Sequence, residues 1–65
     1  MTARSTVYVL FMDNTLSGPE EHSTYHSRDK AIKAAEKQSA AQPKYWWWVD
    51  SSTRIWTHEA EDSDL

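Results

Sequence analysis

The first clear pattern along the chain is an unbroken apolar run, Val7-Tyr8-Val9-Leu10-Phe11-Met12, opened by Thr6. β-Branched and aromatic residues dominate it, which predicts a strand. Neighbours in a strand point to opposite faces, so Val7, Val9 and Phe11 share one side and Tyr8, Leu10 and Met12 the other. Both sides are apolar, which predicts a central strand covered on each face. Asp13 to Glu21 then reads as a loop, with Asn14, Ser17, Gly18 and Pro19 as turn formers. Ser23-Thr24-Tyr25-His26 is short and polar and suits an edge strand.

A different periodicity follows. Ser27 is a good N-cap, and Asp29 lies in the first turn, where the helix dipole favours an acid. The pattern predicts a helix from Arg28 to Ala41, ended by Pro43, which disfavours helical geometry at Gln42. At about 100° per residue, Ala31, Ile32, Ala35 and Ser39 share a face. That face is small, so the helix can approach a sheet closely but adds little apolar area. Lys44 to Asp50 and Thr53 to His58 read as two further strands about a Ser51-Ser52 turn. The fold class expected is α+β: a small three- to four-stranded, mainly antiparallel sheet with one helix on one face, in the order β-β-α-β-β. Residues 1–58 form the domain, and residues 59–65 are expected to be a disordered tail.

The hairpin carries Tyr45-Trp46-Trp47-Trp48. A turn of two or four residues sets Val49 opposite Arg54 and Trp47 opposite Trp56. One face then holds Trp46, Trp48, Ile55 and Thr57, and the other Tyr45, Trp47, Val49, Arg54, Trp56 and His58. The first set has no charge and is expected to meet the helix. The second has a Trp pair in its middle with Arg54 and His58 at its margins, a composition that resembles protein-binding hot spots. A three-residue turn or a bulge exchanges the faces. In either case a lone small-faced helix covers one side of the sheet and leaves an aromatic face bare.

Composition narrows the classes. A chain of 65 residues without Cys has no disulfide or thiolate metal site, and a domain of this size is marginally stable. Net charge is −3, but Glu59, Glu61, Asp62 and Asp64 supply more than that, and the body is close to neutral. No apolar run reaches the roughly 18–20 residues of a membrane span, and Val7–Met12 is short for a secretory signal. A cytoplasmic protein is expected.

Lys30, Lys33 and Lys37 fall within about 60° of one another on the helix. They are the candidate phosphate contacts for the alternative function, single-stranded nucleic-acid binding aided by Trp and Tyr stacking. Asp29 also supports Lys33 at i,i+4, as on any solvated helix face. His22 and His26 have the i,i+4 spacing of helical metal ligands, but on a strand they stand about 13 Å apart, so no metal is expected. Phe11-Met12-Asp13-Asn14-Thr15-Leu16 resembles the first motif of the haloacid dehalogenase-like phosphatases, D-x-D-x-T-L after an apolar strand. Phe11 stands where that family has its nucleophilic Asp, so the resemblance implies no phosphatase activity. With no nucleophile–base pattern and no Gly-rich phosphate loop, neither an enzyme nor a cofactor is expected. The sequence points to a protein-binding module acting through Tyr45, Trp47, Arg54, Trp56 and His58. Its partner would be another protein or a second copy, as in a small inhibitor or accessory factor of a phage or bacterium.

Overall fold

The computed structural model of the chain describes residues 6–14 and 18–61. It has five elements: β1 (Tyr8–Asp13), β2 (Pro19–Tyr25), α1 (Arg28–Ala41), β3 (Trp46–Asp50) and β4 (Arg54–His58). The strands form one sheet in the order β2-β1-β3-β4, and every neighbouring pair is antiparallel. The architecture is the small α+β fold with β-β-α-β-β order that the residue pattern predicts.

The apolar strand β1 is central, between β2 and β3. β2 is longer than expected. It starts at Pro19, which pairs with Asp13, so Asp13 and Pro19 to Glu21, read as part of a loop, are strand. A proline is tolerated there because the first residue of an edge strand has no ladder donor to supply. Gly18, just before it, has φ +83°, a left-handed conformation that glycine adopts without a Cβ penalty. Pro19, Glu20 and Glu21 are exposed on this edge, and a register shift at Leu10/Phe11 leaves His22 as an extra residue. Proline, charge and a bulge all discourage a further strand from pairing with an edge.

Helix α1 begins and ends where its capping residues place it. The Ser27 hydroxyl accepts from the Lys30 backbone N–H at 3.4 Å, and the Gln42 N–H donates to the Gln38 carbonyl at 2.8 Å. Ala31, Ala35 and Ser39 form its buried stripe, and the Ser39 hydroxyl is satisfied by the Glu36 carbonyl at 3.1 Å. These small side chains let the helix lie against β3, β1 and β2. Leu10, Trp47 and Val49 meet the stripe from the sheet, and together with Ala31 and Ala35 they are fully buried.

The helix therefore covers the opposite hairpin face from the one expected. Trp47 and Val49 point to the helix, and Trp46 and Trp48 point away. The hairpin turn has three residues, Ser51–Thr53, closed by Ser51 N–H to the Thr53 carbonyl at 2.9 Å. Asp50 pairs with Arg54, and Val49 pairs with Trp56, so the strand takes up an extra residue at Ile55. Trp47, Val49, Trp56 and His58 stay on one side, as grouped from the sequence, while the bulge moves Arg54 to the other side with Trp48. β2 and β3 run parallel with β1 between them, and α1 connects them. Crossovers of this kind are right-handed almost without exception. Strand order therefore decides which face the helix covers, not which hairpin face is freer of charge.

No helix among the described residues is long and apolar enough to cross a membrane.

Candidate functional site

The side of the sheet away from the helix is built in rows across the four strands. Phe11 pairs with Glu21 on one side and Trp48 on the other, and Trp48 pairs with Thr57. The row is thus Glu21, Phe11, Trp48, Thr57, from the β2 edge to the β4 edge. The next row is Thr24, Val9, Asp50, Arg54 by the same pairings. A third begins Pro19, Asp13, Trp46. Directly paired residues share a face, so these side chains project together.

At the centre of this face Phe11 and Trp48 stack, with ring centroids 5.4 Å apart and planes 16° from parallel. The pair is the direct outcome of two central strands each placing an aromatic at the same register position. The Arg54 guanidinium lies over the Trp48 ring, 4.8 Å from its centroid. Its Nε is also 3.5 Å from Asp50 Oδ1. That oxygen is shielded from solvent and makes no hydrogen bond, so the nearby guanidinium charge is what compensates it. At 3.5 Å the contact is an ion pair, too long for a strong hydrogen bond. Arg54 therefore has two anchors, the Asp50 carboxylate and the face of the Trp48 ring. Trp46 is 38% exposed and Val7 42%, while Val9, Phe11 and Trp48 are only partly covered.

β1 was expected to be covered on both faces. Its Leu10 side is closed by the helix, and its Val9–Phe11 side is closed by no element among the described residues. The reason is the one the sequence identifies: a single helix shields a single side.

The residues singled out from the hairpin are split by this geometry. Trp47 is not on the bare face but is fully buried beneath the helix. Its indole N–H donates to the Gln42 carbonyl at 3.0 Å, so the buried polar atom is satisfied. The His22 ring meets its edge at 5.4 Å, where the β2 bulge turns it toward the core side. Tyr45 and Trp56 are half-buried against the same core. His58 donates from Nε2 to the Pro43 carbonyl at 3.1 Å, and that carbonyl also accepts from the Glu61 N–H at 2.8 Å. A histidine at the margin of a hairpin face here marks a satisfied covered position, not a solvent rim. Of the expected set, only Arg54 stands on the bare face, brought there by the bulge. The last residues of the acidic segment, 62–65, lie outside the described residues.

Phe11, Trp48 and Trp46 take the central place instead. The alternation in Trp46–Trp48 makes Trp48 one of two equal alternatives, and the strand order decides between them. The signal for Phe11 is weaker, since it rests on the register between β1 and β3, which no local pattern encodes.

Lys30, Lys33 and Lys37 are exposed on α1, on the opposite side of the sheet from Phe11 and Trp48. The two halves of the nucleic-acid reading are thus on different sides of the molecule. His22 lies in β2 and His26 just beyond it. Among the described residues no group of three His, Asp or Glu side chains could hold a metal ion, and none lines a detectable cavity.

No family model matches the chain, and no curated protein and no solved structure is measurably similar to it.

Proposed function

We propose that this chain is a protein-binding module whose working surface is the bare face of its sheet, centred on Phe11 and Trp48 and edged by Trp46 and Arg54. One observation carries the proposal. Two stacked aromatics and a guanidinium lying over one of them sit on a face that the chain's own helix leaves open. Aromatics and arginine in a flat, pre-ordered cluster are the residues that dominate the energetics of protein interfaces. Because Arg54 is already held by Asp50 and Trp48, little side-chain entropy remains to be lost on docking. The module would act in the cytoplasm by occluding or bridging, as a small inhibitor or accessory factor of a phage or bacterium does. Catalysis and cofactors are not part of the proposal.

The charge of the face weighs against nucleic acid. Among the described residues Asp13, Glu21 and Asp50 share it with one cation, Arg54, and this balance repels phosphate. The lysines that would supply the missing attraction are on the far side of the sheet.

The test is capture from a lysate of the producing cell, followed by titration of the purified captured protein. The wild-type chain, Trp48→Lys and Lys33→Glu serve as baits. We expect a partner that binds the wild type and Lys33→Glu equally and is lost with Trp48→Lys, whose fold is checked by circular dichroism. Equal binding by all three, or loss only with Lys33→Glu, would refute the assignment.

A further inference from the structure

We infer that the occupant of the bare face is a second copy of this chain, packed sheet against sheet about a two-fold axis that runs along the strands. The inference rests on the reading of this face as a protein-binding surface and adds the identity of the partner. It comes from where the face carries charge. Arg54 stands at the β4 edge, and Glu21 at the β2 edge. A two-fold interface must be complementary to itself: what one patch offers, its own rotated image must accept. Opposite charges at opposite edges, with an aromatic pair between them, satisfy that condition, and Asp13, in the row Pro19, Asp13, Trp46, falls over Trp46 of the second copy and not over another acid.

The rows fix the juxtaposition. Rotation about an axis between β1 and β3 sets β2 of one copy against β4 of the other, and β1 against β3. The row Glu21, Phe11, Trp48, Thr57 then meets its own reverse, with Phe11 over Trp48 of the second copy and Trp48 over Phe11. Arg54 arrives above the β2 edge, one row away from the opposing Glu21. One row is two residues, about 7 Å along a strand, so the opposite charges attract across the seam while Arg54 stays beside Asp50 and the Trp48 ring of its own chain. Within one chain the same two residues are separated by β1 and β3, roughly 14 Å at the usual strand spacing, so they are not partners there. Asp50 keeps Arg54 of its own chain beside it and is not left as a lone buried charge.

The size of the face sets the strength expected. Four strands by about five residues give a patch of roughly 19 by 17 Å. Two such faces bury on the order of 1,000 Å² in total once side-chain relief is included, near the lower limit for a specific interface. That favours a reversible dimer with a dissociation constant on the order of micromolar rather than an obligate one. It would also provide the support that a domain with so few fully buried residues, Leu10, Ala31, Ala35, Trp47 and Val49, lacks on its own.

The experiment is sedimentation equilibrium of the full chain from low micromolar to millimolar concentration, with charge-swap variants at the two edges. Both positions are exposed, so Arg54→Glu and Glu21→Arg should fold, which circular dichroism checks. The wild type should self-associate, and each single variant should do so about tenfold or more weakly, as like charges come to face each other. An equimolar mixture of the two single variants should regain a dimer, because each then meets its complement. That recovery has no explanation within one chain. A wild type that stays monomeric throughout, swaps without effect on association, or a mixture that recovers nothing would each overturn the inference. A monomeric wild type whose Trp48→Lys variant still loses a different protein partner would remove the second copy and leave the binding surface standing. A monomer with no Trp48-dependent partner would remove both.

Discussion

On the helix side of the sheet Leu10, Trp47 and Val49 are fully buried, while on the other side Val9, Phe11 and Trp48 are only half-covered. Both faces draw on the same strands and the same residue types. Trp47 and Trp48 are adjacent in the chain, yet one packs beneath the alanine stripe of α1 and the other lies stacked on Phe11 in the open. The difference lies in what covers them. α1 offers small side chains and a close approach, and the carbonyl of Gln42 at its end accepts the hydrogen bond from the Trp47 indole. Among the described residues the open face has no such element, and its polar contacts run sideways, from Arg54 to Asp50 and to the Trp48 ring. Side-chain chemistry alone therefore does not separate core from surface in a domain this small.

The contrast can be broken most directly at the two tryptophans. Trp47→Ala removes a fully buried side chain and leaves its volume empty, which costs about 3–5 kcal/mol. For a marginal domain that is most or all of its stability, and urea titration followed by circular dichroism should show little or no folded baseline. Trp48→Thr keeps a β-favouring residue and loses stacking and partial burial. A cost of about 1 kcal/mol is expected in the same titration. Equal losses at the two positions would mean that both faces act as core.

A smaller effect tests the margin of the covered face. His58→Ala removes one of two donors to the Pro43 carbonyl. The carbonyl keeps the Glu61 N–H, so the expected cost is that of one ordinary hydrogen bond, about 1 kcal/mol. Faster amide exchange at Glu61 should accompany it, because the two donors hold the same anchor. The smallest change is on the open face. Arg54→Lys keeps a cation beside Asp50, weakens the contact with the Trp48 ring, and should cost about 0.5 kcal/mol. It should also raise the accessibility of the Trp48 ring to a fluorescence quencher in a chain whose other exposed tryptophan, Trp46, is replaced by Phe.

Much of the fold was legible because it is written in local patterns. The apolar run of β1, the Ser27 cap, the helix from Arg28 to Ala41 and the two hairpin strands each follow from residues close in sequence. So does the pairing of Trp47, Val49, Trp56 and His58 on one side, since alternation is a property of any strand. The extent of β2 was less legible, because Glu20, Glu21 and His22 have no strand preference of their own and are held by pairing with β1. The candidate site was legible in kind but not in membership. The sequence states that one aromatic face has no cover, and it does not state which one. Absence of charge was the wrong criterion, because His58 is satisfied by a backbone carbonyl and Arg54 is moved across by the Ile55 bulge.

By itself, then, the chain determined its elements, their order, and a surplus of aromatic surface over what an alanine-rich helix can enclose. These depend on composition and on periods of two and 3.6 residues. Only the tertiary structure decided that Trp47 goes in and Trp48 stays out, and that Phe11 is the partner of Trp48. Those outcomes depend on the crossover from β2 through α1 to β3, on the register of β1 against β3, and on one extra residue in β4. The first two are set by contacts between segments far apart in the chain, where no local pattern reaches, and the third by how the three-residue turn lets the hairpin close.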